Sequence, residues 1–109
     1  MELSKADKKT AREIIEKGLQ QEFAKCLFAA DTILDEWKNQ VTENRDAYNK
    51  LYKRIINFDK HIARRYDRIT GSNYLFIIAG QLNDGVIMEN DLNDFTIEAR
   101  AAIKMIAGF

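Results

Sequence analysis

The sequence predicts an all-α fold, and three features of the 109-residue chain indicate it. Apolar side chains recur at intervals of three and four residues, which is the period of one face of an α-helix. Proline is absent, and only five residues are glycine, so little in the chain interrupts a helix. We predict a bundle-like protein with four helices: a long antiparallel hairpin, about residues 5–39 and 43–69, packed against a shorter hairpin, about residues 73–83 and 90–107.

The first predicted helix covers residues 5–39. Its apolar positions follow the three-and-four spacing from Ile14 to Val41, whereas the residues before Ile14 are mostly polar. Ser4 precedes the helix and is one of the residue types that cap helix N-termini. The sequence therefore predicts one long helix with a single apolar face.

The second predicted helix covers residues 43–69, with Thr42 as a candidate N-cap and Gly71 as the residue that ends it. The link to the first helix is only a few residues long, and such short links join antiparallel neighbours. Trp37 is therefore expected to lie near Tyr48.

The remaining two helices are shorter. Residues 74–82 are apolar on nearly every side, which indicates a buried helix; a buried strand is the alternative, but the chain offers no second strand to pair with it. The fourth helix is predicted over residues 90–107, with Asn90 or Asp91 as its N-cap. Together these segments form the shorter hairpin.

Composition limits the class of protein. The chain has 17 basic and 17 acidic residues, and such a balance is not typical of a general nucleic-acid or membrane binder. Its length fits one helical domain, residues 1–109. A single cysteine, Cys26, forms no internal disulfide, and neither a signal-peptide pattern nor a run of about 20 apolar residues is present. We expect a cytoplasmic protein that does not enter the membrane.

The residues that usually carry catalysis or bind metals are scarce. His61 and Cys26 are the only residues of their types, and the spacing supports no metal-binding motif, phosphate-binding loop or catalytic triad. We therefore expect no enzyme activity, no cofactor and no metal. Asp59 falls within the apolar stripe of the second helix, where a buried carboxylate needs a hydrogen-bond or ionic partner. A small-molecule site near Asp59 is accordingly one further alternative.

Some apolar residues point away from the predicted core. Phe28 lies off the apolar stripe of the first helix, and the fourth helix carries a second apolar stripe opposite its main one. Exposed apolar patches mark interaction sites, although packing of the fourth helix between two layers is the alternative. The candidate partner interface comprises Phe28, Ile97, Ala101, Met105 and Phe109.

The second helix also carries a basic face opposite its apolar stripe. Such a face is suited to an anionic partner, although a merely solvated surface is the alternative. The candidate anion-binding residues are Lys50, Lys53, Arg54, Lys60, Arg64 and Arg68. We interpret the chain as a non-enzymatic protein-binding or scaffold module that acts through helix faces, its partner being an unidentified protein or a second copy in a homodimer. A nucleic-acid-associated protein that uses the basic face is the alternative function.

Overall fold

The computed structural model describes residues 2–109 and confirms the all-α prediction. Within that range the secondary structure is helical, and residues 74–82 form a helix rather than a strand. The four α-helices are α1 (Lys5–Lys38), α2 (Asn44–Tyr66), α3 (Tyr74–Asn83) and α4 (Ile97–Ala107), and one 3-10 helix covers Glu89–Leu92. None of these helices combines the length and the apolar character that a membrane span requires.

The chain divides into two compact units. The hairpin unit, Glu22–Asp67, contains the C-terminal part of α1 and all of α2. The three-helix unit contains the N-terminal part of α1, up to Gln21, together with Arg68–Phe109, which carries α3 and α4. The expectation of a single domain over residues 1–109 stays a prediction.

A close contact joins α1 to α3 in the three-helix unit. Gln81 on α3 is fully buried, and its Nε2 donates a hydrogen bond of 3.0 Å to the backbone oxygen of Ile15 on α1. Gly18 makes this approach possible, because a Cβ atom there would lie 2.2 Å from Nε2 of Gln81. Glycine at this position thus lets a polar side chain reach the backbone of a helix.

A second polar contact joins the N-termini of α1 and α4. Asp7 is buried, and its carboxylate accepts two hydrogen bonds from Thr96. One comes from the backbone nitrogen (3.0 Å) and the other from the side-chain hydroxyl (2.7 Å). Ser4 Oγ accepts from the Asp7 backbone nitrogen (3.1 Å), as expected of a cap at this position. Burial raises the pKa of Asp7, but the hydrogen bonds from Thr96 and Ser4 together lower it by more. The pKa of Asp7 therefore lies below its ordinary value.

The predicted start of the fourth helix is wrong. Neither Asn90 nor Asp91 caps it; α4 begins at Ile97, and Thr96 is its N-cap, accepting from the backbone nitrogen of Ala99 (3.2 Å). The carboxylate of Asp91 instead accepts a bond from the backbone nitrogen of Met88 (2.8 Å). Acidic side chains that bond nearby backbone groups favour turns over helix, so the chain forms a 3-10 turn where α-helix was predicted.

The boundaries of the long hairpin also differ in detail. Gln40 has a φ of 62° and closes α1, and Glu43 rather than Thr42 is the N-cap of α2. Helix α2 ends at Tyr66, three residues before the predicted end, and Arg68 has a left-handed backbone with a φ of 60°. The first helix, by contrast, has its predicted start and ends one residue earlier than predicted.

Candidate functional site

A buried carboxylate fixes the open end of the hairpin unit. Glu22 on α1 is 4% exposed, and three donors on α2 surround it. Its Oε1 bonds Nε2 of His61 (2.5 Å) and Nη1 of Arg65 (2.9 Å), and the hydroxyl of Tyr66 donates to its Oε2. Because Arg65 neutralises the carboxylate and the three donors occupy it, the cluster acts as a structural clamp between the two helices.

Sequence reasoning missed this clamp. The periodicity of α1 indicates which residues are apolar, but Glu22 is polar, and its partners lie 39 to 44 positions later in the chain. The only indication in the sequence was on α2. His61 and Arg65 lie beside the basic face and not within it, which suggests that they bond a residue of another helix. Both side chains turn toward Glu22.

The closed end of the hairpin is held by an indole. Trp37 Nε1 on α1 donates a hydrogen bond of 2.7 Å to Oδ1 of Asn44 in the first turn of α2. Trp37 and Tyr48 both line an apolar cleft between the two helices, as the short link predicted. Leu34 from α1 and Leu51 from α2 also line this cleft.

Between its two ends the hairpin buries few side chains. Phe23 and Phe58 make an edge-on ring contact with centroids 5.2 Å apart, and the Cys26 thiol is buried. Phe23 nevertheless remains 42% exposed. A pair of helices alone cannot surround its own apolar residues, so part of the apolar stripe faces outward.

We call the outward-facing apolar residues of the hairpin the hairpin face. Their spacing along each helix is three, four or seven residues, so each set lies on one side of its helix. The cleft, which Leu34 and Tyr48 both line, connects the two sets. Leu27, Tyr48 and Tyr52 are 69%, 68% and 58% exposed. The hairpin face comprises Phe23, Leu27 and Leu34 from α1 and Tyr48, Tyr52 and Ile55 from α2.

The residues of the predicted partner interface are all exposed. On α4, Ile97 and Met105 are 77% and 75% exposed, and Ala101 lies between them on the same side of the helix. Phe109 follows the left-handed Gly108 that ends the helix. We call Ile97, Ala101, Met105 and Phe109 the α4 face. Phe28 belongs to the hairpin unit, where it is exposed on α1.

The apolar core of the three-helix unit lies on the other side of α4. Ala99 and Ile103 are fully buried, and α4 packs against α3. Beside this contact, Met105 lines a groove together with Leu75 and Phe76 of α3. The second apolar stripe of α4 is thus exposed and is not enclosed between two layers.

The predicted basic face is present on α2, with one correction. Its five helical members are exposed, and within residues 2–109 none of them forms an ion pair: Lys50, Lys53, Arg54, Lys60 and Arg64. Arg68 does not belong to this face, because α2 ends before it and its backbone is left-handed. The tyrosines Tyr48 and Tyr52 lie on the hairpin face, away from these cations, so neither of them gives the basic face a stacking platform for nucleic-acid bases.

The predicted burial of Asp59 is wrong. The residue does lie in line with Ile55 and Ile62, but its side chain is exposed, because α1 covers a different side of α2. The carboxylate is therefore solvated and needs no internal partner. An exposed carboxylate beside the hairpin face does not form the enclosed small-molecule site considered from the sequence.

Comparison with known proteins supports the fold. No family model matches the chain. No curated protein sequence matches it significantly. The chain is similar in structure to the fluorescence recovery protein from Synechocystis sp. PCC 6803, with a TM-score of 0.79 and 21% sequence identity over 97% of this chain and 98% of that one. At this level of identity the similarity shows a common fold.

Proposed function

We propose that the chain is a protein-binding module without enzyme activity of its own, and that its hairpin face packs against a second copy of the chain. The observation that carries the proposal is the exposure of six large apolar residues on one side of a two-helix hairpin. An exposed apolar patch of this kind marks an interaction surface. The similarity to the fluorescence recovery protein supports the helical fold that presents this surface.

The energetics favour a second hairpin as the partner. Removing a Leu or Ile side chain from water contributes about 1.5–3 kcal/mol, and Leu27, Leu34 and Ile55 all retain exposed surface for such a gain. Two hairpins packed face to face form a four-helix bundle, which encloses a core that one hairpin cannot. Leu27 and Tyr52, the most exposed members beside Tyr48, would then become core residues.

The α4 face is a second contact surface in this proposal, and we assign it to a different protein. Ile97 and Met105 project from the three-helix unit, and they are more exposed than any residue of the hairpin face. One chain would thus contribute one surface for self-association and one for a further partner. Apolar anchors of this type contribute most of the binding energy of an interface.

Nucleic-acid binding through the basic face is the alternative that the sequence left open. Its five cations are solvated, which suits phosphate contact, but the balanced charge of the whole chain and the position of Tyr48 and Tyr52 on another side of α2 disfavour it. If it holds, retention on DNA or RNA decreases with salt and is lost in the Lys60→Glu, Arg64→Glu double variant.

Light scattering coupled to size exclusion tests the proposal with a matched pair of variants. Leu27→Asp and Phe28→Asp change neighbouring residues of α1 with similar exposure, 69% and 73%, but only Leu27 belongs to the hairpin face. Phe28 projects about 100° away from Leu27 around the helix. We expect a dimer for the wild type and for Phe28→Asp, and a monomer for Leu27→Asp. Circular dichroism checks that both variants keep their helix content.

The other outcomes contradict parts of the proposal. A wild type that stays monomeric at millimolar concentration removes the self-association. Dissociation by Phe28→Asp alone would move the interface to the outer side of α1. Ile97→Asp with Met105→Asp should leave the dimer intact; if it does not, the α4 face belongs to the self-association surface.

A further inference from the structure

Helix α2 carries a regular seam on the side that contributes to the hairpin face. Its positions alternate steps of three and four residues over about two and a half heptads, the spacing of the contact positions of a coiled coil. Four of them are apolar or aromatic, and the first and fifth are charged. The seam consists of Arg45, Tyr48, Tyr52, Ile55, Asp59 and Ile62.

The two charged positions of the seam are arranged symmetrically. Arg45 and Asp59 lie seven residues before and seven residues after Tyr52. Both side chains are exposed, and among residues 2–109 neither makes a hydrogen bond or an ion pair. Fourteen residues of helix separate them by about 21 Å, so they cannot pair within one chain. Both charges therefore lack a partner on the surface proposed to be buried.

We propose that two copies pair through this seam with their α2 helices antiparallel and centred on Tyr52, so that Arg45 of each copy meets Asp59 of the other. The inference rests on the proposed self-association and adds its direction and register. In an antiparallel pair centred on Tyr52, Arg45 of the first copy aligns with Asp59 of the second, and Asp59 of the first with Arg45 of the second. This follows because both residues lie seven positions from Tyr52. The dimer then contains two equivalent ion pairs related by its twofold axis.

Electrostatics separates this arrangement from the parallel one. Parallel in-register pairing would place Arg45 opposite Arg45 and Asp59 opposite Asp59, which is repulsive at both sites. Charged residues at contact positions of a seam fix register and direction in this way, because every other alignment leaves a desolvated charge without its partner. Lys50, Lys53 and Lys60 lie on other sides of α2, so the basic face stays solvated in this dimer.

The ring at the centre of the seam suits a twofold contact. Tyr52 of each copy meets its equivalent at the axis, where two aromatic rings can stack or meet at an angle, with their hydroxyls at the edge. Tyr48 and Ile55 lie one step on either side of Tyr52. From Arg45 to Asp59 the seam is thus apolar at its centre and charged at both ends, as interfaces are.

Charge reversal tests the register by sedimentation velocity. In Arg45→Glu, both ion pairs become carboxylate–carboxylate contacts, and in Asp59→Lys both become contacts between cations. We expect each variant alone to dissociate with a constant higher by on the order of 10-fold to 100-fold. An equimolar mixture of the two variants should form a heterodimer about as stable as the wild type, because both ion pairs are restored between the copies.

The control is Lys50→Glu, which makes the same change of charge as Arg45→Glu on another side of α2 and should leave the dissociation constant unchanged. In the parallel arrangement neither single reversal weakens the dimer, so that result overturns the inference. It is likewise overturned if mixing fails to restore association. If Leu27→Asp dissociates the dimer but Arg45→Glu does not, the proposed function stands and the register falls; a monomeric wild type removes both.

Discussion

A methyl group added to α1 at Gly18 should destabilise the three-helix unit. The ideal Cβ of an alanine would lie 2.2 Å from Nε2, 2.5 Å from Cδ and 3.0 Å from Oε1 of Gln81. Real Cβ contacts are longer than these distances, so the Gln81 side chain must move. It is fully buried and has little room to do so.

The size of the destabilisation follows from two unfavourable effects and one favourable effect. Displacing Gln81 breaks its bond to the backbone oxygen of Ile15, and losing a buried hydrogen bond costs about 1–3 kcal/mol. Forcing extra volume into a packed core costs about another 1–3 kcal/mol. The higher helix propensity of alanine returns about 1 kcal/mol. We expect Gly18→Ala to lower the free energy of unfolding by about 3 kcal/mol.

Urea denaturation followed by circular dichroism measures this change. Gly71→Ala is the matched control: its Cβ would lie 3.6 Å from Cε of Lys8, an ordinary contact, so we expect a change within about 0.5 kcal/mol. Shortening the obstructing side chain by Gln81→Ala should make Gly18→Ala less destabilising than in the wild-type background. If Gly18→Ala unfolds at the same urea concentration as the wild type, the close contact does not exist and the reasoning is refuted.

Three further predictions concern polar side chains that join helices. Although burial raises the pKa of Asp7, the hydrogen bonds from Thr96 outweigh this effect and hold the pKa below its usual value, so Asp7 stabilises the fold above about pH 4, and this stabilisation is lost as the pH falls further. Asp7→Asn should cost about 1–3 kcal/mol at pH 7 and weaken the pH dependence of urea unfolding below about pH 4; an unchanged dependence would contradict this. Thr96→Ala removes both the cap of α4 and a donor to Asp7, and we expect a loss of about 2 kcal/mol, whereas Thr32→Ala on an exposed part of α1 should change little. Glu22→Gln removes the buried negative charge that bonds Nη1 of Arg65, and we expect a loss of about 3 kcal/mol in thermal or urea unfolding; wild-type stability would show that the clamp is dispensable.

The sequence predicted the helices well where local chemistry and periodicity agree. Helix α1 begins at Lys5 because Ser4 caps it, and α3 is buried because nearly every side of it is apolar. The start of the fourth helix was misplaced because Asp91 and Thr96 are both good N-caps by residue type. Their tertiary contacts, with Lys17 and Asp7 respectively, decide between them, and sequence spacing does not reveal those contacts.

The exposed surfaces that form the candidate site were predicted only in part, because tertiary packing also decides which residues are exposed. Periodicity shows which residues share a side of a helix, but it does not show which side a neighbouring helix covers. Asp59 was therefore expected to be buried, although α1 covers another side of α2. Conversely, Tyr48 and Tyr52 follow the three-and-four spacing of the second helix, and both are more than half exposed. The exposure of Phe28, Ile97 and Met105 agrees with the sequence-based expectation because these residues lie off the main stripes.

The position of Trp37 gives the chain an internal optical reporter. It is the only tryptophan, its ring nitrogen is held by Asn44, and it lines the cleft at the closed end of the hairpin while remaining 41% exposed. An indole that loses its surrounding water emits at shorter wavelength. Any molecule that covers the cleft should therefore shift the emission of the unlabelled protein.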